Sequence, residues 1–376
     1  MSSDGARVAN ILLIPGDGVG PEVIREARRV LEWLCGNRGL KVRVSERNMG
    51  IGEYERTGSL MSDEAFADAM AADAILFGAF GGPGREKVPH EHILDRGLLG
   101  LRRHLDLFAN LRPIKTLESL SDTSPLKPEV ARGTDFVIVR ELTSGVYYGE
   151  PRGIETLSDG SEKGTDTQAY TTGEIERIAR VAFALAARRG GRVCSVDKAN
   201  VMKSGVLWRR VVTRLAAEEF PGIVLDHMYA DNCAMQLIIR PTQFDVILTD
   251  NLFGDVLSDG AAAIVGSLGM LPSASLGPEG ADGTRKALYE PVHGTAPDLT
   301  GKNAANPAGA ILSLAMALRY SLARPEDADL VEDAVDRTIA TGVRTQDVAG
   351  STHTPVSTPE FGGAVLAELD RGIGKV

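Results

Sequence analysis

Residues 10–34 read NILLIPGDGVGPEVIREARRVLEWL: an apolar run, a glycine turn and a helical repeat in direct succession. The first seven residues read as a strand. Further on, Val23, Ile24, Ala27, Val30, Leu31 and Leu34 recur at the spacing of a helix with one apolar face. Pro21 suits the first helical turn, where a backbone N–H has no intrahelical partner anyway. Gly16, Gly18 and Gly20 are spaced G-x-G-x-G. The dinucleotide fingerprint requires G-x-G-x-x-G and an acidic residue about 20 positions on, and that residue is not clear here. A standard Rossmann site and a tight strand-to-helix turn are the two readings of this stretch.

The same alternation continues outward. DAILFGAF (73–80), DFVIVREL (135–142), GRVCSVDK (191–198), GIVLDHMY (222–229) and FDVILTDN (244–251) read as strands. Residues 174–189 and 204–219 read as helices between them, and 305–322 and 326–341 as helices near the end. Strands alternating with helices predict an α/β fold with a sheet covered by helices. One stretch breaks the pattern. Residues 146–170, VYYGEPRGIETLSDGSEKGTDTQAY, are long, polar and rich in Gly and Thr, as expected of a surface loop or an arm that bridges subunits.

Composition narrows the function. The chain has 376 residues, 43% hydrophobic and 24% charged, enough for two domains. Its net charge of −10 argues against nucleic acid as a partner. No apolar run approaches the ~20 residues that span a membrane, and the start of the chain reads as lacking a signal peptide. Cys35, Cys194 and Cys233 fit no zinc motif, and an odd, sparse count argues against a disulfide framework. The expected location is cytoplasmic.

In DNLFGDVLSDG (250–260), Asp255 and Asp259 stand four residues apart with no Lys or Arg in the run. On a helix they share one face and repel each other. Either Asp255 lies near a helix start and Asp259 is solvated, or the pair faces a hard cation. Arg102, Arg103 and Arg112 lie among apolar residues, and Arg140 ends a strand-like run. Such arginines are either salt-bridged or aimed at an anion, which they clamp with paired hydrogen bonds. Lys198 follows a strand, where α/β sheets place chemistry. Asp231 is either a helix cap or a third oxygen ligand. Two further Gly-rich loops, 77–84 and 290–307, are either irregular connections or, for the second, a set of backbone amides for phosphates.

Taken together, IPGDGVGPEV, VRELTSGVYYGEPRG, SVDKANV, NLFGDVLSDGAAAIVGSLGM and EPVHGTAPDLTGKNAANP occur in this order over nearly the whole chain. In these runs the chain resembles the β-decarboxylating dehydrogenases, which include the isocitrate, isopropylmalate, homoisocitrate and tartrate enzymes. The resemblance implies that family's two-domain α/β fold with a mixed sheet covered by helices, not a Rossmann fold. One domain would comprise 1–110 and 261–376. The other would comprise 111–260, with the arm at 146–170 and the active site in the cleft between domains. The implied catalytic pair is Tyr147 and Lys198. Arg102, Arg112, Arg140 and Asp231 match substrate-binding positions, with Leu98 and Leu99 beside them. Asp231, Asp255 and Asp259 match ligands of Mg²⁺ or Mn²⁺. The implied NAD loop carries His293, Gly294, Thr295, Ala296, Pro297, Asp298, Leu299 and Asn306, with Gly81 and Gly82 on a second loop near the nicotinamide. A homodimer with active sites shared between subunits is also implied. The acidic stretch 158–166 fits no motif, and Phe80 replaces a smaller aliphatic residue.

The implied reaction is oxidative decarboxylation of (2R,3S)-3-isopropylmalate to 4-methyl-2-oxopentanoate in leucine biosynthesis. Isocitrate enzymes of this family carry a polar Ser-x-Asn segment before the first substrate arginine. This chain has GLLGLR there, and Leu98 and Leu99 suit an isopropyl group rather than a third carboxylate or a hydroxyl. A related 2-hydroxy acid such as isocitrate, homoisocitrate, tartrate or D-malate is the alternative substrate. A non-catalytic regulatory subunit is the alternative of another class. Such subunits lose catalytic or metal residues, all of which are present here.

Overall fold

The computed structural model describes residues 8–121, 123–281 and 283–373. They divide into two units. The first takes the chain up to Leu107 and from Val265, together with Leu117–Ser124; the second takes Phe108–Thr116 and Pro125–Ile264. The short segment 117–124 is tied to the first unit by Arg344, which donates to the Ser119 carbonyl, and by Gly266, which lies against Thr123. The family resemblance implies a second domain of 111–260 that includes this segment; its contacts put it with the first unit instead.

The strands are β1 (Ala9–Gly16), β2 (Val42–Glu46), β3 (Ala74–Ala79), β4 (Ala109–Lys115), β5 (Asp135–Glu141), β6 (Gly153–Thr156), β7 (Glu162–Thr165), β8 (Arg192–Asp197), β9 (Val224–Tyr229), β10 (Val246–Thr249), β11 (Pro272–Glu279) and β12 (Arg285–Pro291). In the first unit they run in the order β2-β1-β3-β12-β11, and only β11 is antiparallel to its neighbour. In the second the order is β4-β5-β10-β8-β9, with β4 antiparallel to β5 and the rest parallel. Each unit thus has a mixed sheet. Parallel strands are covered on both faces, which is why Ile11–Ile14 of β1 and all of β3 and β10 are buried.

The helix Gly20–Asn37 carries Pro21 in its first turn, as its sequence predicts, and buries Val23, Ile24, Ala27, Val30, Leu31 and Leu34. Fully burying each of the larger of these side chains contributes about 1.5–3 kcal/mol. The helix Ala308–Tyr320 is buried on nearly every side, since it packs on the helix Gly20–Asn37, on the helix Pro325–Ala340 and on β11 and β12. Phe80 packs against two apolar clusters of the first unit, one around Phe77 and Leu101 and one around Ile51 and Ile93. Its larger ring is therefore core filling.

Within 146–170 the chain forms an antiparallel hairpin, β6 with β7, pairing Gly153 with Thr165 and Thr156 with Glu162. All of β6 is exposed, including Ile154 at 76%. The acidic stretch 158–166 is the turn and second strand of this hairpin. Besides β6 and β7, which lie in the stretch read as a loop or arm, four strands escape the sequence reading: β2, β4, β11 and β12. Their apolar runs are short or broken by Arg, Lys and Pro, so their strand identity comes from their neighbours rather than from their own pattern.

Candidate active site

In the second unit, antiparallel pairing places Asn110 of β4 opposite Arg140 of β5. Arg112 lies two residues beyond Asn110, so it shares that face. β10 pairs Thr249 with Arg140, and the helix Asn251–Val265 begins two residues past Thr249. Asn251, Asp255 and Asp259 recur every four residues, one above the other on one face of this helix. The strands bring both arginines to that face. Arg140 bonds Asp255 through Nη1 and donates to Asn251 Oδ1 from Nε at 3.1 Å and from Nη2 at 2.7 Å. Arg112 donates to Asp259 at 3.0 Å, to Ser258 Oγ at 2.6 Å, to Asn110 at 2.9 Å, and more weakly to Asp255 at 3.5 Å.

The repulsion between Asp255 and Asp259, a few tenths of a kcal/mol on an exposed helix, is therefore opposed by two buried guanidinium groups. Tyr147 adds a third partner, its hydroxyl donating to Asp255 Oδ2 at 2.9 Å. Burial, and then the Asp255 carboxylate beside it, raise the Tyr147 phenol above its ordinary range, so it stays protonated at neutral pH.

Lys198 comes one residue after β8, and Asp231 lies in the first turn of the helix Ala230–Ile239, just after β9. The pairing of Asp197 with Tyr229 draws these two strand ends together, and Lys198 Nζ lies 2.8 Å from Asp231 Oδ1. The bond from Lys198 holds the Asp231 carboxyl below its usual range. Among the described residues, no three His, Cys, Asp or Glu side chains of one chain gather as a metal site. Asp231 thus pairs with Lys198 rather than with Asp255 and Asp259.

In the first unit, Leu98 and Leu99 open the short helix Leu98–His104, both half-buried, with Leu98 against the apolar core. On the same helix Arg102 donates to Glu290 at 2.6 Å. Glu290 stands at the head of the loop 290–307. There His293 Nδ1 donates to the Gly294 carbonyl at 2.8 Å, and Nε2 is buried without a partner among the described residues. Burial lowers the pKa of this imidazole, so it is neutral and Nε2 is a free acceptor. Ala296 adopts a left-handed conformation, φ 41°, which opens the turn Pro297–Leu299. Gly294, Asp298 and Leu299 are exposed and Thr295 is buried. Asn306 is buried and committed: its amide donates to Asp347 at 3.1 Å and its oxygen accepts from Ala308 N at 3.0 Å. Gly81 and Gly82 follow β3, both with positive φ.

The profile of the isocitrate/isopropylmalate dehydrogenase family matches residues 10–365. The chain belongs to the isocitrate/isopropylmalate dehydrogenase family. It is similar to the 3-isopropylmalate dehydrogenase of Ruegeria pomeroyi, 55% identical over 366 residues that cover 97% of this chain and 99% of the relative. The 3-isopropylmalate dehydrogenase of Gluconobacter oxydans is 54% identical over 361 residues, 96% of this chain and 98% of the relative. The crystal structure of isocitrate dehydrogenase from Methylococcus capsulatus superposes with a TM-score of 0.83 at 31% identity, covering 96% of this chain and 99% of that one. Membership makes this chain an oxidoreductase, a decarboxylating dehydrogenase, and gives it the family's α/β fold.

The groups implied by the family fit the residues present. Asp255 and Asp259 offer hard carboxylate oxygens on one helix face, the donor type that Mg²⁺ and Mn²⁺ take. The orphaned His293 Nε2 and the exposed carboxylate of Asp298 fit a dinucleotide. Sequence reasoning missed the residues that hold the site in shape. Asn251 and Ser258 lie inside the quoted run 250–260, and their spacing from Asp255 was the available signal. Asn110 lies two residues from Arg112 on the same strand, so its spacing was a signal too, whereas Glu290 meets Arg102 across 188 positions of chain, which no local pattern encodes.

Proposed function

We propose that this chain catalyses NAD-dependent oxidative decarboxylation of (2R,3S)-3-isopropylmalate to 4-methyl-2-oxopentanoate and CO₂ in leucine biosynthesis, as a cytoplasmic homodimer. The observation that carries the reading is the cluster of Arg112, Arg140 and Tyr147 on Asp255, in a chain more than half identical to relatives named for that substrate. Arg102, Arg112 and Arg140 would hold the substrate carboxylates, and Leu98 and Leu99 would face its isopropyl group. His293 to Leu299, with Gly81 and Gly82, would hold NAD; Asp255, Asp259 and a partner's copy of Asp231 would hold the cation. When bound, NAD would supply the hydride acceptor for C2 and the cation would supply Lewis-acid chemistry for the hydroxy acid.

The chain's own groups manage the protons. Lys198 takes the proton of the C2 hydroxyl as the base. Once CO₂ has left, C3 needs a proton. Tyr147, kept protonated by burial and by Asp255, is the donor. The Arg112 and Arg140 guanidiniums orient the acid so that bond breaking occurs at C3.

A spectrophotometric assay with NAD, Mg²⁺ and 3-isopropylmalate tests the reading. Turnover should far exceed that on isocitrate, tartrate or D-malate under the same conditions. Comparable kcat/KM on one of those acids would assign the chain to that substrate instead.

A further inference from the structure

We propose that Asp17 is a positioning residue that sets the Gly81–Gly82 loop for the nicotinamide half of NAD, an inference that rests on the NAD-dependent reading above. Asp17 stands between Gly16 and Gly18 in the turn after β1. Its carboxylate accepts three backbone N–H groups. Oδ2 accepts from Ile51 at 2.9 Å and from Gly81 at 3.0 Å, and Oδ1 accepts from Gly52 at 3.2 Å. Ile51 and Gly52 open the helix Ile51–Thr57, so the charge meets N–H groups that have no intrahelical partner. Asp17 N also donates to the Ala79 carbonyl at 2.9 Å, which closes the turn onto the end of β3.

Missing side chains make room for this carboxylate. A Cβ on Gly50 would lie 2.4 Å from both Asp17 oxygens, and one on Gly16 would lie 1.9 Å from the Ala79 oxygen. Opposite, the same turn holds the loop 290–307 by other groups. Val19 N donates to the Thr295 carbonyl at 3.0 Å, and Glu22 accepts from Gly301 N at 2.7 Å. The turn and the start of the helix after it therefore support both loops: the Asp17 side chain holds Gly81, while Val19 and Glu22 hold Thr295 and Gly301. Loss of the Asp17 charge should disturb the nicotinamide end alone. Asparagine at this position supplies one acceptor oxygen, and its amide would face an N–H group.

The test compares wild type with Asp17→Asn, using the KM for NAD, the KM for 3-isopropylmalate, and the inhibition constant of ADP-ribose, which lacks the nicotinamide. The KM for NAD should rise about tenfold, the factor that corresponds to about 1.4 kcal/mol. ADP-ribose inhibition and the KM for the hydroxy acid should stay within about twofold. An unchanged KM for NAD, or equal weakening of NAD and ADP-ribose, overturns the proposal. If Asp17→Asn does not fold, amide hydrogen exchange of the wild type decides. Protection of the Gly81 N–H like that of β3 amides supports the tether, and exchange at open-loop rates refutes it. Wild type that neither binds nor turns over NAD overturns the NAD reading and this proposal with it. Wild type active with NAD beside an unaltered variant overturns this proposal alone.

Discussion

Two carboxylates show how environment decides what a residue does. Asp298 lies exposed after a left-handed turn. There it can accept hydrogen bonds from ribose hydroxyls and repel a 2′-phosphate. NAD should be preferred over NADP at least tenfold, about 1.4 kcal/mol, and Asp298→Lys should weaken the preference; equal kcat/KM with the two cofactors in wild type would contradict this. Asp250 is the opposite case. Burial lifts its carboxyl from an ordinary value of 3.8 to about 6, although Phe253 N and Gln168 Nε2 each donate to it at 2.8 Å. Folding therefore favours the protonated form. Its contribution is complete below about pH 4 and is lost as the pH rises through 6, on the order of 3 kcal/mol in all. Asp250→Asn stays neutral, and the buried Gln168 Oε1, without a partner among the described residues, can turn to accept from the new amide. Chemical unfolding should show the variant gaining on wild type between pH 4.5 and 7. A constant difference across that range would refute the assignment.

The helix Asn251–Val265 is the element on which the site is built. Three of its successive turns present Asn251, Asp255 and Asp259, and Asn251 holds Arg140 in place: its Oδ1 accepts twice from the guanidinium and its Nδ2 donates to the Ser144 carbonyl at 3.0 Å. Gly254 lets Arg140 lie against the helix. A Cβ there would stand 2.5 Å from Arg140 Cγ and 2.9 Å from its Cβ. Helix propensity alone would make Gly254→Ala stabilising by about 1 kcal/mol. The clash outweighs it, since overpacking a buried site costs about 1–3 kcal/mol. We expect a lowered Tm and a KM for the hydroxy acid raised by about tenfold, because Arg140 must move. A more stable variant with unchanged KM would show that Arg140 has room. The site's side chains were legible from sequence as a set of residue types, but their pairing was not. Asp255 meets Arg140 across 115 positions of chain, a contact produced by β5 and β10 lying side by side.

At the scale of the whole molecule, one chain keeps Lys198 and Asp231 together and Asp255 and Asp259 together, without gathering the three aspartates among its described residues. A two-fold dimer in which Lys198 and Asp231 serve the partner's Asp255 and Asp259 would complete two equal sites. Lys198→Ala and Asp255→Asn homodimers should each be nearly inactive. Refolded together at equal concentration, half the dimers pair one of each, and each mixed dimer holds one intact site. Recovered activity should approach roughly a quarter of wild type under that reciprocal geometry. No recovery, with mixed dimers confirmed by mass, would mean that Lys198 and Asp255 act within one chain.

What the sequence by itself determined was local: the strands with unbroken apolar runs, the helix with Pro21 in its first turn, and the motifs that place the chain in its family. Each of these depends on residues a few positions apart, so periodicity and turn chemistry suffice to read it. The tertiary structure alone decided that Arg112 and Arg140 neutralise the aspartate pair, that Arg102 binds Glu290, and that Asp17 ties helix to loop. The weakly patterned β4, β11 and β12 likewise became strands only beside their neighbours. These are contacts between distant segments, and strand order and register, which no local pattern encodes, determine which groups meet.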